Sequence, residues 1–542
     1  MIRRELSPAS RTAVLAVLAV FCAAAVFAQP TVEQLLGKMP GQSTQDMATA
    51  SQELVHLGPD AVKNVCAMLV PPGGGDDVNA RFLLSGLAKH VSRGDAEEAR
   101  AMVSGAFLQA IEAAEEPEVK AFLIRQVQVC GGAEAVDALG KYLSDERLVE
   151  PAAQALLAIR TENVVSAFKA AFEGAEGPRA VTLIKALGEL RVADMADKIV
   201  PFTASDNRET RLVAYQALAE IGVPQALEPL RKAYETGAPY EKAKAISYGL
   251  TYAKHLAEAD DMETATAILD ALMADEQPNV RSAALSTLVA IGSPSAQNLL
   301  LAAMDDPSLE YRAAALQLTS EFPSEETTRQ WMAKMDQVSP EVQAEIIIML
   351  GNRGDKVASD TLTRQILSEE KVVRMAAIDA ATKLTGSRAV APMLERLRKG
   401  AEEDEIEAIK SALLRAPGRQ VVKACAQALD KTPPEARIAL LGVLKQRHAE
   451  IARREVFAQT KAEDEAVRLA AIDALSTVAK PGDVSRVVDL VVEAPSEAEK
   501  AAARTVLVTL AGEKPRRLLN AIEKHNGQAK ADLLAALPAI GG

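Results

Sequence analysis

Aromatic residues are scarce in this chain: one tryptophan, Trp331, seven tyrosines and ten phenylalanines among 542 residues. Platforms that stack bases or sugars need aromatics in clusters, and here they are dispersed, so that class of binding surface is excluded. The five histidines, His56, His90, His255, His448 and His525, lie far apart without metal-ligand spacing. Neither His-Glu-x-x-His nor Gly-x-Ser-x-Gly occurs, and no second fold remains to carry an active site. No catalytic, cofactor-binding or metal residue is therefore assigned, no cofactor is expected, and the chain reads as no enzyme. Positive charge is in deficit, 61 basic residues against 74 acidic, for a net charge of −13. Such an excess keeps a large chain soluble and repels nucleic acid and anionic lipid. Cysteine is sparse as well. After Cys22, only Cys66, Cys130 and Cys425 remain, an odd and widely spaced set that argues against a disulfide framework and reads as three small buried apolar residues.

The start of the chain has its own pattern. Arg3, Arg4 and Arg11 precede an unbroken apolar run from Thr12 to Ala28. That order is expected for a secretory signal peptide over residues 1–28, with small residues before Gln29 where a signal peptidase cuts. Arg3-Arg4-Glu5-Leu6 partly resembles a twin-arginine signal, and Phe21 before Cys22 is too large for a lipoprotein site. A mature chain beginning at Gln29 would carry about −15, and a secreted or periplasmic location follows from the same reading.

What the chain has in abundance is one helix, written many times. Val373–Ala381 reads VRMAAIDAA and Val467–Leu475 reads VRLAAIDAL, seven identities in nine residues at a separation of 94. Equivalent positions of the arginine recur at Arg81, Lys120, Val149, Ala180, Arg211, Ala243, Arg281, Arg312, Gln343, Arg374, Glu407, Arg437, Arg468, Lys500 and Lys530, with a period of about 31. Each unit holds two helical segments. From Val280 to Ile291 apolar residues return every three or four positions until Gly292, a residue suited to a left-handed helix end. Ser293-Pro294-Ser295 turns the chain, a second helix runs from Ala296 to Met304, and at Asp305-Asp306-Pro307 an aspartate can cap the next helix. Alanine pairs such as Ala283-Ala284 and Ala376-Ala377 set a close stacking distance. A helix pair this short cannot bury its own apolar face, so stability has to come from neighbours on both sides. The expected fold is all-α, an α-solenoid of about fifteen two-helix repeats over residues 76–542, preceded by an N-terminal helical cap segment at 29–75.

With Asp275 leading through Val280-Arg281-Ser282-Ala283-Ala284 to Ile291-Gly292-Ser293-Pro294, and the same form at Glu369 to Arg374 and Asp464 to Arg468, the sequence resembles HEAT repeats of the short bacterial, phycobilisome-lyase-like type. The resemblance spans roughly residues 76 to 540 and implies fold far more than function, because its motif residues are structural. It also implies a ladder of arginine contacts between repeats. Val149, Ala180, Ala243, Gln343 and Glu407 break the basic series, so that ladder should be interrupted. The arginines are expected to serve packing and hydrogen bonding between repeats.

Function on a repeat array concentrates where the period breaks. Pro71 to Asp77 is a glycine-rich loop without the lysine or preceding strand that phosphate binding needs, and reads as a flexible joint. The 38-residue interval after Ala243 contains Tyr252 to Glu263, with a histidine and four carboxylates. The spacing matches no calcium loop, so a longer turn with Asp260 or Asp261 capping the next helix is expected. Ala401 to Glu407 carries five carboxylates before a helix, which the helix dipole favours. Within it Glu402, Glu403, Asp404 and Glu405 are the candidate partner-binding residues, should the partner be basic. Arg93-Gly94-Asp95 and Arg353-Gly354-Asp355 spell an adhesion tripeptide, yet each falls where one helix ends and the next begins.

The last unit, Lys530 to Leu537, supplies one of two expected helices and leaves an apolar edge, where partner contact or continuation of the chain is expected. The expected function is an exported, non-catalytic scaffold presenting a long helical surface to a protein partner. The alternative is a spacer arm of a secreted multidomain enzyme system, glycan-processing for instance. A bilin lyase is disfavoured by export and by the missing catalytic groups.

Overall fold

A computed structural model describes residues 30–41, 43–94, 96–512 and 515–536. Residues 1–28, expected above to be a signal peptide, Asp95 of the first tripeptide and the terminal Leu537 to Gly542 lie outside the described residues. All regular secondary structure among them is helical, and consecutive helices stack in pairs, so the fold is an all-α solenoid. The chain forms two compact bodies, Met1–Leu272 and Met273–Gly542.

The repeat arises from local chemistry. The first helices of several repeats start on proline, at Pro117, Pro239, Pro278, Pro340 and Pro434, where a missing N–H costs nothing. Others start behind a polar cap: Asn207, Ser308, Asp464 and Ser496 each accept a backbone N–H two or three residues on, satisfying a donor the helix cannot. The second helices are shorter and often broken by a tight turn, as where Ala296–Ala302 tightens into Ala303–Asp305. At the end of Pro278–Ala290, Gly292 has φ 70° and takes the left-handed conformation its position needs.

Arginine occupies the fourth place of these helices, as in Arg211, Arg281, Arg312, Arg374, Arg437 and Arg468. This register departs from three sequence assignments: Pro239–Glu258 puts Lys242, not Ala243, in the arginine place, Glu403–Arg415 puts Ile406 there, not Glu407, and Val149 opens Val149–Ile159, whose fourth residue is Ala152. The long interval also differs from expectation. Its extra residues lengthen the helix Pro239–Glu258 to 20 residues, beside 14 in Arg208–Ile221, and the turn after it is only Ala259 to Asp261. Asp261 does accept the N–H of Thr264. Likewise the cap before Leu309–Gln317 is Ser308; Asp306 instead receives the N–H of Ser308 and the guanidinium of Arg281.

Close approach of neighbouring first helices depends on more than the alanine pairs. A Cβ at Gly351 would lie 2.6 Å from Cβ and 2.8 Å from Cα of Ala380, and one at Gly188 would lie 2.6 Å from Cα of Ala217. These two seams, one in each body, bring backbones together where no side chain fits. Elsewhere the core is leucine, valine and alanine, with Trp331 on Glu325–Met335 only 1% exposed. At the N-terminal end, Thr44–Leu57 packs on Val78–Val91. The glycine-rich loop that leads into Val78–Val91 is pinned at its base: Asp77 accepts the N–H of Val70 while Arg81 donates to Asp77 and to Val70 O.

The three described cysteines are interior. Cys66, Cys130 and Cys425 are all buried and free, and burial pushes each thiol up to about 12. A thiol that does not ionise is neither nucleophile nor metal ligand. The native protein is expected to leave all three unreacted with a thiol-disulfide reagent at neutral pH and to release them together in denaturant; modification of a native thiol within minutes would show that its packing opens.

Candidate partner interface

The arginine in the fourth place does two jobs. Its guanidinium donates to carbonyls five and six residues back, outside the helix: Arg211 to Ser205 and Asp206, Arg281 to Asp275 and Glu276, Arg374 to Ser368 and Glu369, Arg468 to Ala462 and Glu463. It then reaches the next repeat. Arg211 meets Glu241 at 2.7 Å, Arg374 meets Glu405 at 2.5 Å and Arg468 meets Glu499 at 3.0 Å. Those three glutamates are each the third residue of the following first helix. Arg312 uses Glu345, at 2.7 Å. Arg437 keeps only the carbonyl of Thr432, its Nε is buried without a partner, and the third residue of the next helix is Val467. The ladder thus joins repeats where a carboxylate answers the arginine and lapses where none does.

This geometry divides the candidate acidic run. Glu405 has no exposed surface; its carboxylate lies between Arg374 and Arg396, with Arg396 Nη2 at 2.8 Å, and also accepts the N–H of Glu402. It is a tie between repeats and offers nothing to a partner. Glu402 and Asp404 are exposed but share Lys371, at 2.7 and 2.8 Å. Hydrogen bonds to Asp404 and then Glu402 hold the Lys371 ammonium above its usual range, and the one from Lys371 lowers the Asp404 carboxyl. Among the described residues only Glu403 of the four stands without an ion pair.

Glu403 opens onto a groove of about 760 Å³ that crosses three consecutive first helices, Glu403–Arg415, Pro434–Gln446 and Glu465–Val478. Ile406, Ile438, Ala439 and Gly442 give it apolar walls, and Glu403, Glu407, Glu435 and Asp473 give it carboxylates. Two are neutralised in place, Glu407 by Lys410 at 2.9 Å and Asp473 by Lys445 at 2.7 Å. Glu403 and Glu435 have no cationic partner among the described residues, which leaves the groove two negative charges in excess. Sequence reasoning found Glu403 but missed Glu435, because the two are brought together only by stacking.

The other irregular stretches serve the fold. His255 contacts Glu220 at 3.3 Å and Glu258 at 3.0 Å, and Arg191 reaches both His255 and Glu258; among the described residues no group of three or more His, Cys, Asp and Glu is arranged to hold a metal ion. Arg353 donates to Thr319 O, Phe322 O and the Asp355 carboxylate, around Gly354 at φ 80°, so that tripeptide is spent on its own turn. No described helix is long and apolar enough to cross a membrane.

Two segments, residues 250–319 and 328–413, match the family of HEAT repeats. No curated protein sequence matches the chain. Among solved structures it is similar to Kap121p bound to Nup53p, at 11% identity and TM-score 0.33, over 93% of this chain and 66% of that one. It is also similar to yeast importin-beta, Kap95p, at 12% identity and TM-score 0.33, over 94% and 88%. A third is UNC-45 from Drosophila melanogaster, at 11% identity and TM-score 0.28, over 94% and 92%.

Proposed function

We propose that this HEAT-repeat chain is an exported, non-catalytic scaffold that holds a protein partner against its first helices, with a basic segment of the partner in the groove between Glu403 and Glu435. The carrying observation is the composition of that groove: apolar walls at Ile406 and Ile438 flanked by two carboxylates without cations. Apolar surface supplies attraction, while unpaired charge selects the sign of the partner and speeds encounter. Buried thiols and dispersed histidines support a non-catalytic reading, and the arginines before the apolar run at Thr12 to Ala28 support export to the periplasm or medium.

The test is capture from the native envelope fraction with wild-type protein and with the Glu403→Lys, Glu435→Lys double variant. Wild type is expected to retain one partner stoichiometrically, with affinity at least about tenfold better than the variant, a difference of about 1.4 kcal/mol. The mass spectrum of the protein itself should begin at Gln29. Equal retention by both proteins would remove the groove from the interface, and recovery of the chain alone would sink the scaffold reading.

A further inference from the structure

Seven residues after the arginine place, the first helices carry a core position. It is leucine with no exposed surface in eight of them, at Leu187, Leu218, Leu288, Leu350, Leu413, Leu444, Leu475 and Leu507, and a smaller buried residue in four others, Ala88, Val127, Thr319 and Ala381. In Pro239–Glu258 the arginine place is Lys242, so the same position is Gly249. Its φ is not positive, so the backbone does not require glycine there. Glycine weakens a helix interior and contributes no packing. Local propensity and the core pattern both favour leucine, and the chain departs from both, the kind of inconsistency that marks functional sites.

The missing side chain leaves a hole. A cavity of about 230 Å³ lies beside Gly249, walled by Leu227, Leu230 and Tyr234 on one side and Ile268 and Leu272 on the other. A Cβ at Gly249 would meet Leu272 Cδ1 at 3.8 Å and Ile268 Cγ2 at 4.0 Å, ordinary contacts, so the neighbouring helices have not closed over the gap. Arg231, the charged group at the edge, is held by Glu228 and Glu235 at 2.8 and 3.0 Å. Its charge is thereby answered without the cavity. The walls offer water few partners, and although the pocket opens to solvent beside Leu227, which is 41% exposed, its volume exceeds the roughly 150 Å³ of apolar space that accepts benzene.

We propose that this cavity is a binding site for a compact apolar molecule, an aromatic ring or branched alkyl group up to about the size of indole. The site is independent of the groove at Glu403 and of any protein partner. Isothermal titration of the full chain with indole should give saturable one-to-one binding. Gly249→Leu, which installs the residue most first helices carry at this position, should abolish that binding and raise the melting temperature by several degrees. Gly249→Ala, whose added carbon meets only ordinary contacts, should weaken binding severalfold while keeping the fold, and it decides the matter if the leucine variant fails to fold. Absence of saturable heat with wild type, or unchanged indole affinity in the folded variants, would overturn the proposal.

Discussion

Glu405→Gln is expected to destabilise the second body by about 3–5 kcal/mol, the cost of removing one member of a buried ion cluster. The change keeps shape and removes charge. Two guanidiniums, those of Arg374 and Arg396, would then converge on a neutral amide at a place with little solvent to screen them, since Glu405 has no exposed surface and the arginine side chains are 8% and 16% exposed. Domains have only about 5–15 kcal/mol in total, so the urea midpoint followed by circular dichroism should fall visibly. Glu402→Gln, at an exposed carboxylate on Lys371, should cost under about 1 kcal/mol. Equal small losses for the two variants would show that Glu405 is no tie. Acid supplies a second reading of the same cluster. Burial pushes the Glu405 carboxyl up, but hydrogen bonds from Arg396 and Arg374 outweigh it and hold it at about 2, below the ordinary 4.5. The unfolded chain therefore takes up the proton first as pH falls. The contribution is complete above about 4.5 and is lost as pH drops toward 2. The stability gap between wild type and Glu405→Gln should narrow across that window and stay constant above it.

Gly351→Ala should lower stability by about 1–3 kcal/mol, the usual cost of overpacking, although alanine ordinarily improves a helix interior by about 0.5–1 kcal/mol. The contact decides the sign. The new carbon would sit 2.6 Å from Cβ and 2.8 Å from Cα of Ala380, and backbone cannot swing aside as a flexible side chain can. The helices Pro340–Arg353 and Lys371–Thr385 would have to separate and open their shared core. Ala380→Gly in the same chain removes one colliding atom, so the double variant should regain part of the loss, a coupling that a urea-denaturation cycle measures directly. A more stable Gly351→Ala would mean that the seam slides at little cost.

How far the sequence reaches is clear at particular residues. The helix pairs, the glycine at 292 and the structural role of the arginines follow from periodicity and cap chemistry, which are local. The register at Lys242 and Ile406 slipped by one because it was carried across an elongated helix and a charged start by apolar pattern alone. Glu405 read as one of four candidate partner-binding carboxylates at a helix start. The signal that identifies it is distant: a glutamate third in its helix, 31 residues after Arg374, as Glu499 follows Arg468. Gly188, Gly351 and the pairing of Glu403 with Glu435 were not legible, because each depends on what a neighbouring repeat places opposite.

The position of Trp331 has a practical consequence for spectroscopy. It is the chain's one indole, almost wholly enclosed, and it belongs to the second body. Its emission should be blue-shifted in the native protein and move to longer wavelength when that body opens, while Gly188→Ala acts where no such reporter exists. Emission and ellipticity followed on one sample are therefore two different witnesses, and a separation between their midpoints shows that the array unfolds in more than one cooperative block.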